Sequence, residues 1–531
     1  MNKEQRRPVA LVAALLAALL SGCTKLGPDF VRPQAPVAED WLEANPQLKR
    51  DATDLRTWWK VFDDPALDNL IATAHERNHS LQVAGLRVLE GRARLGIAVG
   101  SLYPQVQSVG AGAVYQRFSK NLNNTEGADV NAWTYSAGFD AVWELDFWGR
   151  FRRGIESADA ALLASLAEYE DVLVSLTAEV ANAYVVLRTF EERIRLAEEN
   201  IEIQRQALTL AQAQFDIGVA TELDVFQARA LLSTTRARIP LFKIGQRQAQ
   251  NALATLLGQP PGPAHAPLEG PVAIPGAPAE VAVGVPAQLL RRRPDVRRAE
   301  LEAAAQSALI GVAMTELFPR VTLTGSIGFA ASDGTNTTRS GNSGIDELFK
   351  LDSLAILGGP SVTWNIFNYG RLKNNVRVQD ARLQQLLVNY EETVLRAAQE
   401  VEDAMVGFLR GQEQVELLGE SVDAARQAVD ISSAQYRGGA IDYQRVLDSQ
   451  NTLVEQQDLW TETRGEVARD LIAMYKALGG GWQVHEGRPV VAEHNVDTMR
   501  NRTDWGNLLE PQALDVPAPG VAGDSLMRVD W

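Results

Sequence analysis

Trp143-Glu-Leu-Asp-Phe-Trp-Gly-Arg150 opens a stretch that runs through a very long helical pattern to Leu257-Gly258. Trp364-Asn-Ile-Phe-Asn-Tyr-Gly-Arg371 opens a second one that ends at Leu478-Gly479. Trp143 and Trp364, Gly149-Arg150 and Gly370-Arg371, Gln214-Phe215 and Gln435-Tyr436, and the two terminal Leu-Gly pairs are all separated by 221 positions. No insertion separates the copies over that span. A repeat of this length decides the architecture, so the rest of the chain is read outward from it.

Within the first copy, Leu166, Tyr169, Leu173, Leu176, Val180, Ala183, Leu187, Phe190, Ile194, Ala197, Ile201, Gln204, Leu208, Ala211 and Phe215 alternate spacings of three and four. Adding 221 gives Leu387, Tyr390, Val394 and so on to Tyr436 in the same phase. Heptads sustained this long predict a coiled-coil helix rather than the stripe of a globular bundle. From Arg150 to Ile217 such a helix spans about 100 Å at 1.5 Å per residue, more than a compact domain needs. Each long helix stops at glycine, and a helix about half as long follows, 221–257 and 442–478. The residue pair Thr221 and Asp224 resembles a capping box.

Ahead of each long helix the period changes to two. Trp133, Tyr135, Ala137, Phe139, Ala141, Trp143 and Leu145 alternate with Thr134, Ser136, Gly138, Asp140 and Glu144. Val109, Ala111, Ala113 and Tyr115 do so more weakly, giving a hairpin around a polar loop. In the second copy Val321, Leu323, Ile327 and Phe329, then Ile356, Val362, Trp364 and Ile366, repeat the pattern around a Gly/Asn/Thr/Ser-rich loop. Pro319 follows Pro104 by 215 positions, so the second hairpin is six residues longer. A sandwich with meeting apolar faces is one reading. A membrane barrel, apolar outward and Thr/Ser/Gly inward, fits the scarcity of charge on the polar face better. Four strands cannot close a barrel and open edges are not viable in lipid, so a barrel must be shared between copies.

The fold expected is therefore an α+β membrane protein of two structural repeats, each a β-hairpin plus long coiled-coil helices. Residues 1–22 read as a signal peptide, with Lys3, Arg6 and Arg7 before an apolar run too short to span a bilayer. Residues 23–63 form an N-terminal arm. Repeat 1 covers 64–258, with a helix from Asp64-Pro65 to about Ser101, hairpin 103–145, long helix 150–217 and helix 221–257. A Pro-rich linker, 259–285, sits at the waist. Repeat 2 covers 286–479, with a leading helix, hairpin 319–367, long helix 371–437 and helix 442–478. A polar tail, 480–531, follows. The helices 442–478 and 65–101 are expected to stack end to end beside one long partner.

Cys23 is the only cysteine, so no intramolecular disulfide forms. It ends the signal in Leu20-Ser21-Gly22-Cys23, which resembles a bacterial lipobox and implies a covalent lipid on Cys23, with no other cofactor. Thr24 rather than Asp at the next position implies sorting to the outer membrane. The chain carries a net charge of −16 and, without residues 1–22, 48 basic and 66 acidic residues, which argues against nucleic acid as a partner. His75-Glu76-Arg77-Asn78-His79 matches the zinc-protease pattern H-E-x-x-H. A third ligand at a protease spacing is missing, so a solvated helix face is preferred and no metal or catalytic residue is expected.

These residues resemble the TolC-like outer membrane factors, in the NodT/OprM subgroup of channel lipoproteins of multidrug efflux systems. Cys23, Gly27-Pro28-Asp29-Phe30-Val31-Arg32-Pro33, Trp58-Trp59 to Asp64-Pro65, Leu289-Leu290-Arg291-Arg292-Arg293-Pro294-Asp295-Val296, Phe318-Pro319 and Gly359-Pro360-Ser361-Val362-Thr363-Trp364 to Gly370-Arg371 carry the resemblance. It implies a homotrimer with a 12-stranded barrel in outer-membrane lipid and a 12-helix barrel through the periplasm. It also implies passive conduction from an inner-membrane pump through a periplasmic adaptor protein. Adaptor contacts are implied at the tips, Ile217-Gly218-Val219 and Gly438-Gly439-Ala440. A periplasmic gate is implied at Gln444, Arg445 and Asp448. Gln444 departs from relatives with an apolar gate residue, and Arg445 stands where the founder has an acid. A conduit for type I protein export or another export system, a periplasmic adaptor lipoprotein and a zinc hydrolase are the other readings considered.

Overall fold

The computed structural model describes residues 25–34, 37–38, 40–43, 45, 48–49, 55–117, 119, 121, 131–262, 273–278, 281–282, 292–334, 344–486 and 488–510. Its elements in chain order are β1 (Leu48–Lys49), α1 (Pro65–Arg77), α2 (His79–Gly100), β2 (Val106–Arg117), β3 (Asn131–Glu144), α3 (Arg150–Asp216) and α4 (Glu222–Leu256). The second half has β4 (Val281–Ala282), α5 (Pro294–Thr315), β5 (Arg320–Ser332), β6 (Leu354–Thr363), α6 (Arg371–Arg437), α7 (Tyr443–Ala477) and α8 (Glu493–Arg500). α3 and α6 are both 67 residues long, about 100 Å each. The heptad stripe lies on their buried sides, from Leu166 to Ala211 and from Tyr390 to Tyr436.

The helix expected over 65–101 is two helices. Asn78 is extended, with ψ 127, and its side chain caps α2 by accepting from Leu81 N at 3.0 Å. The expected stacking of 442–478 on 65–101 is also replaced. α4 ends against the start of α2, where Asn78 Nδ2 donates to Leu256 O at 2.9 Å. α7 ends against the start of α5, where Arg293 Nη1 donates to Ala477 O at 2.8 Å. Arg293 follows Asn78 by 215 positions and Ala477 follows Leu256 by 221, so each repeat makes the same splice with a different donor. A helix end leaves carbonyls without partners, and a buried side chain takes one of them at both joints. Arg293 is fixed in turn by Asp295 and Glu400, at 2.8 and 2.7 Å. This gives the Arg293-Pro294-Asp295 run its structural task.

The strands form one antiparallel sheet in the order β2-β3-β5-β6. Val109 pairs with Phe139, and Pro360, 221 after Phe139, pairs with Leu323. The counterpart of Val109 is thus Leu323, one position short of the 215 separating the prolines. The extra residue is Gln105, whose side chain accepts from Glu144 N at 2.7 Å and donates to Ser101 O at 3.0 Å. Trp143 and Trp364 each donate an indole N–H to the end of the preceding helix, at Leu102 O and Leu317 O. Trp364 and Ile366 lie past the end of β6, although they share its alternation.

The arm, linker and tail collect around the middle of the long helices. β1 pairs parallel with β4, and Gln412 of α6 donates to Pro278 O at 3.0 Å. The described part of the polar tail holds short helices at 482–485, 493–500 and 506–509, and α8 reaches Gln82 through Asn495 at 3.2 Å. Beneath them Glu170 is buried against Arg297 at 2.8 Å, with His485 at 3.6 Å and Trp482 stacked on the Arg297 guanidinium. Burial pushes the Glu170 carboxyl from 4.5 up to about 7, against the pull of Arg297. Between these values the folded chain keeps a proton that the unfolded chain has released. Stability therefore falls as pH rises through the window, by ~3 kcal/mol at most. His75 acts oppositely, because burial, helped by Arg488, lowers its imidazole from 6.5 to about 4 and stability is gained as pH rises between them. Glu170→Gln keeps an acceptor for Arg297 and removes the loss. Its melting temperature should climb more steeply with pH than that of the wild type between 4.5 and 7, and parallel curves would show Glu170 ionised in the fold.

Candidate functional site: sheet and helix tips

The sheet is two-faced. Across its registers Tyr115, Trp133, Tyr135, Phe139, Trp143, Leu323, Ile327, Phe329 and Ile356 share one face, and Ser108, Thr134, Ser136, Asp140, Thr322, Thr324, Ser326 and Ser361 the other. In a strand, side chains alternate between faces, so the period-two pattern of the sequence becomes an apolar outer surface and a hydroxyl-rich inner one. Among the described residues, the outer edges of β2 and β6 have no partner strand.

Far from the sheet, α3 and α6 turn back into α4 and α7. Gly218 and Gly439 take φ of 76° and 72°, a left-handed conformation that side chains with a Cβ disfavour. Val219 N and Ala440 N then return to Gln214 O and Gln435 O, both at 2.9 Å. Ile217 and Val219 are exposed, whereas Gly438, Gly439 and Ala440 present almost no side chain. One tip is apolar and bulky; the other is bare backbone. The expected Thr221–Asp224 pairing forms, with Asp224 accepting from Thr221 N at 3.0 Å. The tips are tied by Gln214 Nε2 donating to Tyr436 O at 3.1 Å, above a small core of Ala211, Val225, Ala228, Tyr436, Tyr443 and Val446.

Gln444, Arg445 and Asp448 lie on the exposed side of the first turns of α7. Gln444 accepts from Gln227 of α4 at 3.1 Å and donates to Asp448 at 2.8 Å, so two of the three gate candidates form one chain of amide and carboxylate groups across both hairpins. Arg445 makes no side-chain contact to them. Gln227 escaped the sequence analysis; the repeat offset pointed to it, since Asp448 follows Gln227 by 221 positions.

His75 and His79 fall on different helices, separated by the break at Asn78. His75 Nε2 is 2.8 Å from the Thr177 hydroxyl, and His79 Nδ1 is 3.2 Å from Arg77 O. Their imidazoles are occupied structurally. Cys23 lies outside the described residues, but Lys25 does not. Leu26 N donates to Trp148 O at 3.1 Å, and buried Arg153 donates to Leu26 O and Gly27 O, both at 2.9 Å. Gly27 packs backbone to backbone on Gly311, where a Cβ would sit 2.4 Å from the Gly311 Cα. Arg153 also pairs with Glu156 at 2.8 Å and Asp29 at 2.9 Å, and its role was not signalled by any sequence pattern, because the arm it fastens is more than a hundred residues away.

An apolar-faced sheet joined to a 100 Å helical arm is the geometry that comparison with known proteins resolves. Residues 70–259 and 285–480 match the family described as outer membrane efflux protein. The chain belongs to that family. It is 32% identical over 478 residues to the pyoverdine export outer membrane protein OpmQ of Pseudomonas aeruginosa, covering 88% of this chain and 96% of the relative. It is 29% identical over 465 residues to nodulation protein T of Rhizobium leguminosarum bv. trifolii, covering 87% and 96%. The solved outer-membrane channel OprN superposes with a TM-score of 0.79 at 33% identity, over 86% of this chain and all of that one. This efflux protein is thus an outer-membrane channel of the TolC-like fold, in the NodT subgroup, extending into the periplasm, and a transport component rather than an enzyme.

The second tip offers a local test. Gly439→Val places a branched side chain at positive φ, at a cost of roughly 1–2 kcal/mol, whereas Gly439→Asn tolerates that conformation. Hydrogen exchange over residues 436–443 should quicken in the valine variant alone, with the global melting temperature unchanged. Equal exchange in both would remove the strain argument.

Proposed function

We propose that three copies of this chain close a twelve-stranded barrel in the outer membrane and a twelve-helix wall below it. The assembly passively conducts small molecules delivered by an inner-membrane pump through a periplasmic adaptor. The observation that carries this is an inequality between the repeats. Val388, Leu395, Val406 and Leu417 of α6 are 54%, 50%, 40% and 66% exposed. Their counterparts 221 positions earlier, Ala167, Val174, Val185 and Leu196, are 0%, 4%, 0% and 6% exposed. Repeat 1 has its neighbour inside the chain, and repeat 2 needs one from another copy. The free edges of β2 and β6 demand the same, because four strands are too few to close.

The junction inside the chain supplies the register between copies. Ala141 of β3 pairs with Gly325 of β5. Carried through the repeat offsets, Val362 of one copy pairs with Ala111 of the next, apolar face to apolar face. The lipid on Cys23 is supported by Lys25, which is held at Trp148–Gly149 where strand gives way to helix, near the membrane boundary. Adaptor contacts are assigned to Ile217-Gly218-Val219 and Gly438-Gly439-Ala440, and the constriction to Gln444, Arg445 and Asp448, supported by the Gln227–Gln444–Asp448 chain.

Two measurements test this. Ala111→Cys with Val362→Cys should cross-link chains into trimers, while Ala111→Cys with Ser361→Cys, one residue out of register, should not; intact mass should show acyl chains on Cys23 and three chains per native particle. Monomers, or no single-channel conductance in planar bilayers, would sink the conduit. Asp448→Ala should raise the conductance of the resting channel and lower its cation preference, and an unchanged resting channel would remove Asp448 from the gate.

A further inference from the structure

α4 is the cationic helix of an acidic chain. From Val225 to Leu256 it carries Arg229, Arg236, Arg238, Lys243 and Arg247 and no acidic residue. Arg229, Arg236 and Arg247 are exposed, yet their repeat-2 counterparts Gln450, Gln457 and Ala468 are 3%, 5% and 0% exposed. Repeat 2 buries those positions between α7 and its neighbours. In the trimer the same positions on α4 meet α6 of the next copy. An arginine covered in this way needs a carboxylate, since an unpaired buried charge is strongly unfavourable.

α6 carries carboxylates at that height. Glu413, Glu416, Glu420 and Asp423 are exposed, with no Lys or Arg between positions 411 and 425. Among the described residues, Glu413 is the one of these four with an ion pair, to Arg410 at 2.8 Å. The contact between α3 and α7 provides the template for which groups meet. There Arg464 lies within electrostatic reach of Glu192 without touching it, Arg195 being the ion-pair partner. Nearer the tip Asn200, eight residues past Glu192, donates at 2.7 Å to Gln457, seven residues from Arg464. The counterparts of Arg464 and Glu192 are Lys243 and Glu413. One heptad closer to the tip on both antiparallel helices lie Arg236 and Glu420. Ser421, standing where Asn200 does, has no charge to offer Arg236; Glu420 beside it does.

We propose that the periplasmic seam between copies is zipped by Arg236–Glu420 and Lys243–Glu413 ion pairs, so that this seam loosens with ionic strength while the barrel does not. The proposal rests on the trimer.

The test uses the full-length protein in detergent with two engineered disulfides. Ile244→Cys with Arg410→Cys reports the seam, because a Cβ on Gly465, the counterpart of Ile244, would sit 3.3 Å from the Cβ of Thr189, the counterpart of Arg410. Ala111→Cys with Val362→Cys reports the barrel. Raising salt from about 0.05 M to about 1 M shortens the screening length to about 3 Å and should lower the seam disulfide yield several-fold. Arg236→Glu should lower it similarly, and Arg236→Glu with Glu420→Arg should restore it, the barrel disulfide being constant throughout. A seam yield indifferent to salt and reversal, or not restored by the double reversal, with the barrel disulfide intact, overturns the zipper and leaves the trimer standing. Absence of the barrel disulfide in the unreversed protein overturns both.

Discussion

Hydrocarbon offers no hydrogen bonds, and a four-stranded sheet has two rows of backbone groups that need them. Each unsatisfied N–H or C=O in lipid costs several kcal/mol, so the edges of β2 and β6 weigh more than any side-chain contact in the barrel. Everything below the sheet is consistent with an element made to be closed by its own kind. The two repeats keep one offset over the whole coiled coil. Each sends its short helix back to meet its own leading helix, and each fastens that joint with a buried side chain.

The joints explain how each short helix is continued by a second one along the arm. A continuous helix of that length would satisfy its own carbonyls; a spliced one must borrow donors. Asn78 does this with a neutral amide, and Arg293 with a guanidinium that also binds Asp295 and Glu400. Described parts of the arm, linker and tail meet at this level, through the β1–β4 pairing, Gln412 to Pro278 and Asn495 to Gln82. Buried polar pairs meet there: Glu170 with Arg297, His75 with Thr177, and Tyr184 donating to Asp64 at 2.6 Å. Away from the waist the arm is a thin wall that depends on neighbours.

That dependence is unequal by design of the repeat. The face of α6 that stays open is apolar toward the membrane and acidic toward the tip, and the open face of α4 is cationic. Apolar contact holds without regard to salt, whereas charge contact weakens with it. Under the proposed trimer, a wall built this way would be firm above and adjustable below.

The sequence alone determined the duplication, the two long helices, the two-faced hairpins and the glycine tips, because each rests on a local period or on backbone chemistry that neighbours cannot override. Gln444 and Asp448 were singled out as gate candidates by the resemblance and not by any local period. Tertiary structure decided what periodicity does not encode. It split the helix at Asn78, since a capping amide and a continuing helix leave the same apolar pattern. It paired α4 with α2 and α7 with α5, since equal lengths do not say which ends meet. It brought Gln227 to Gln444 and buried Arg153 against carbonyls, contacts between residues far apart in the chain. Trp143 to Gly258 could be read as a helix from its own residues; which of its faces stay open, and so what must cover them, follows only from comparing its burial with that of its second copy.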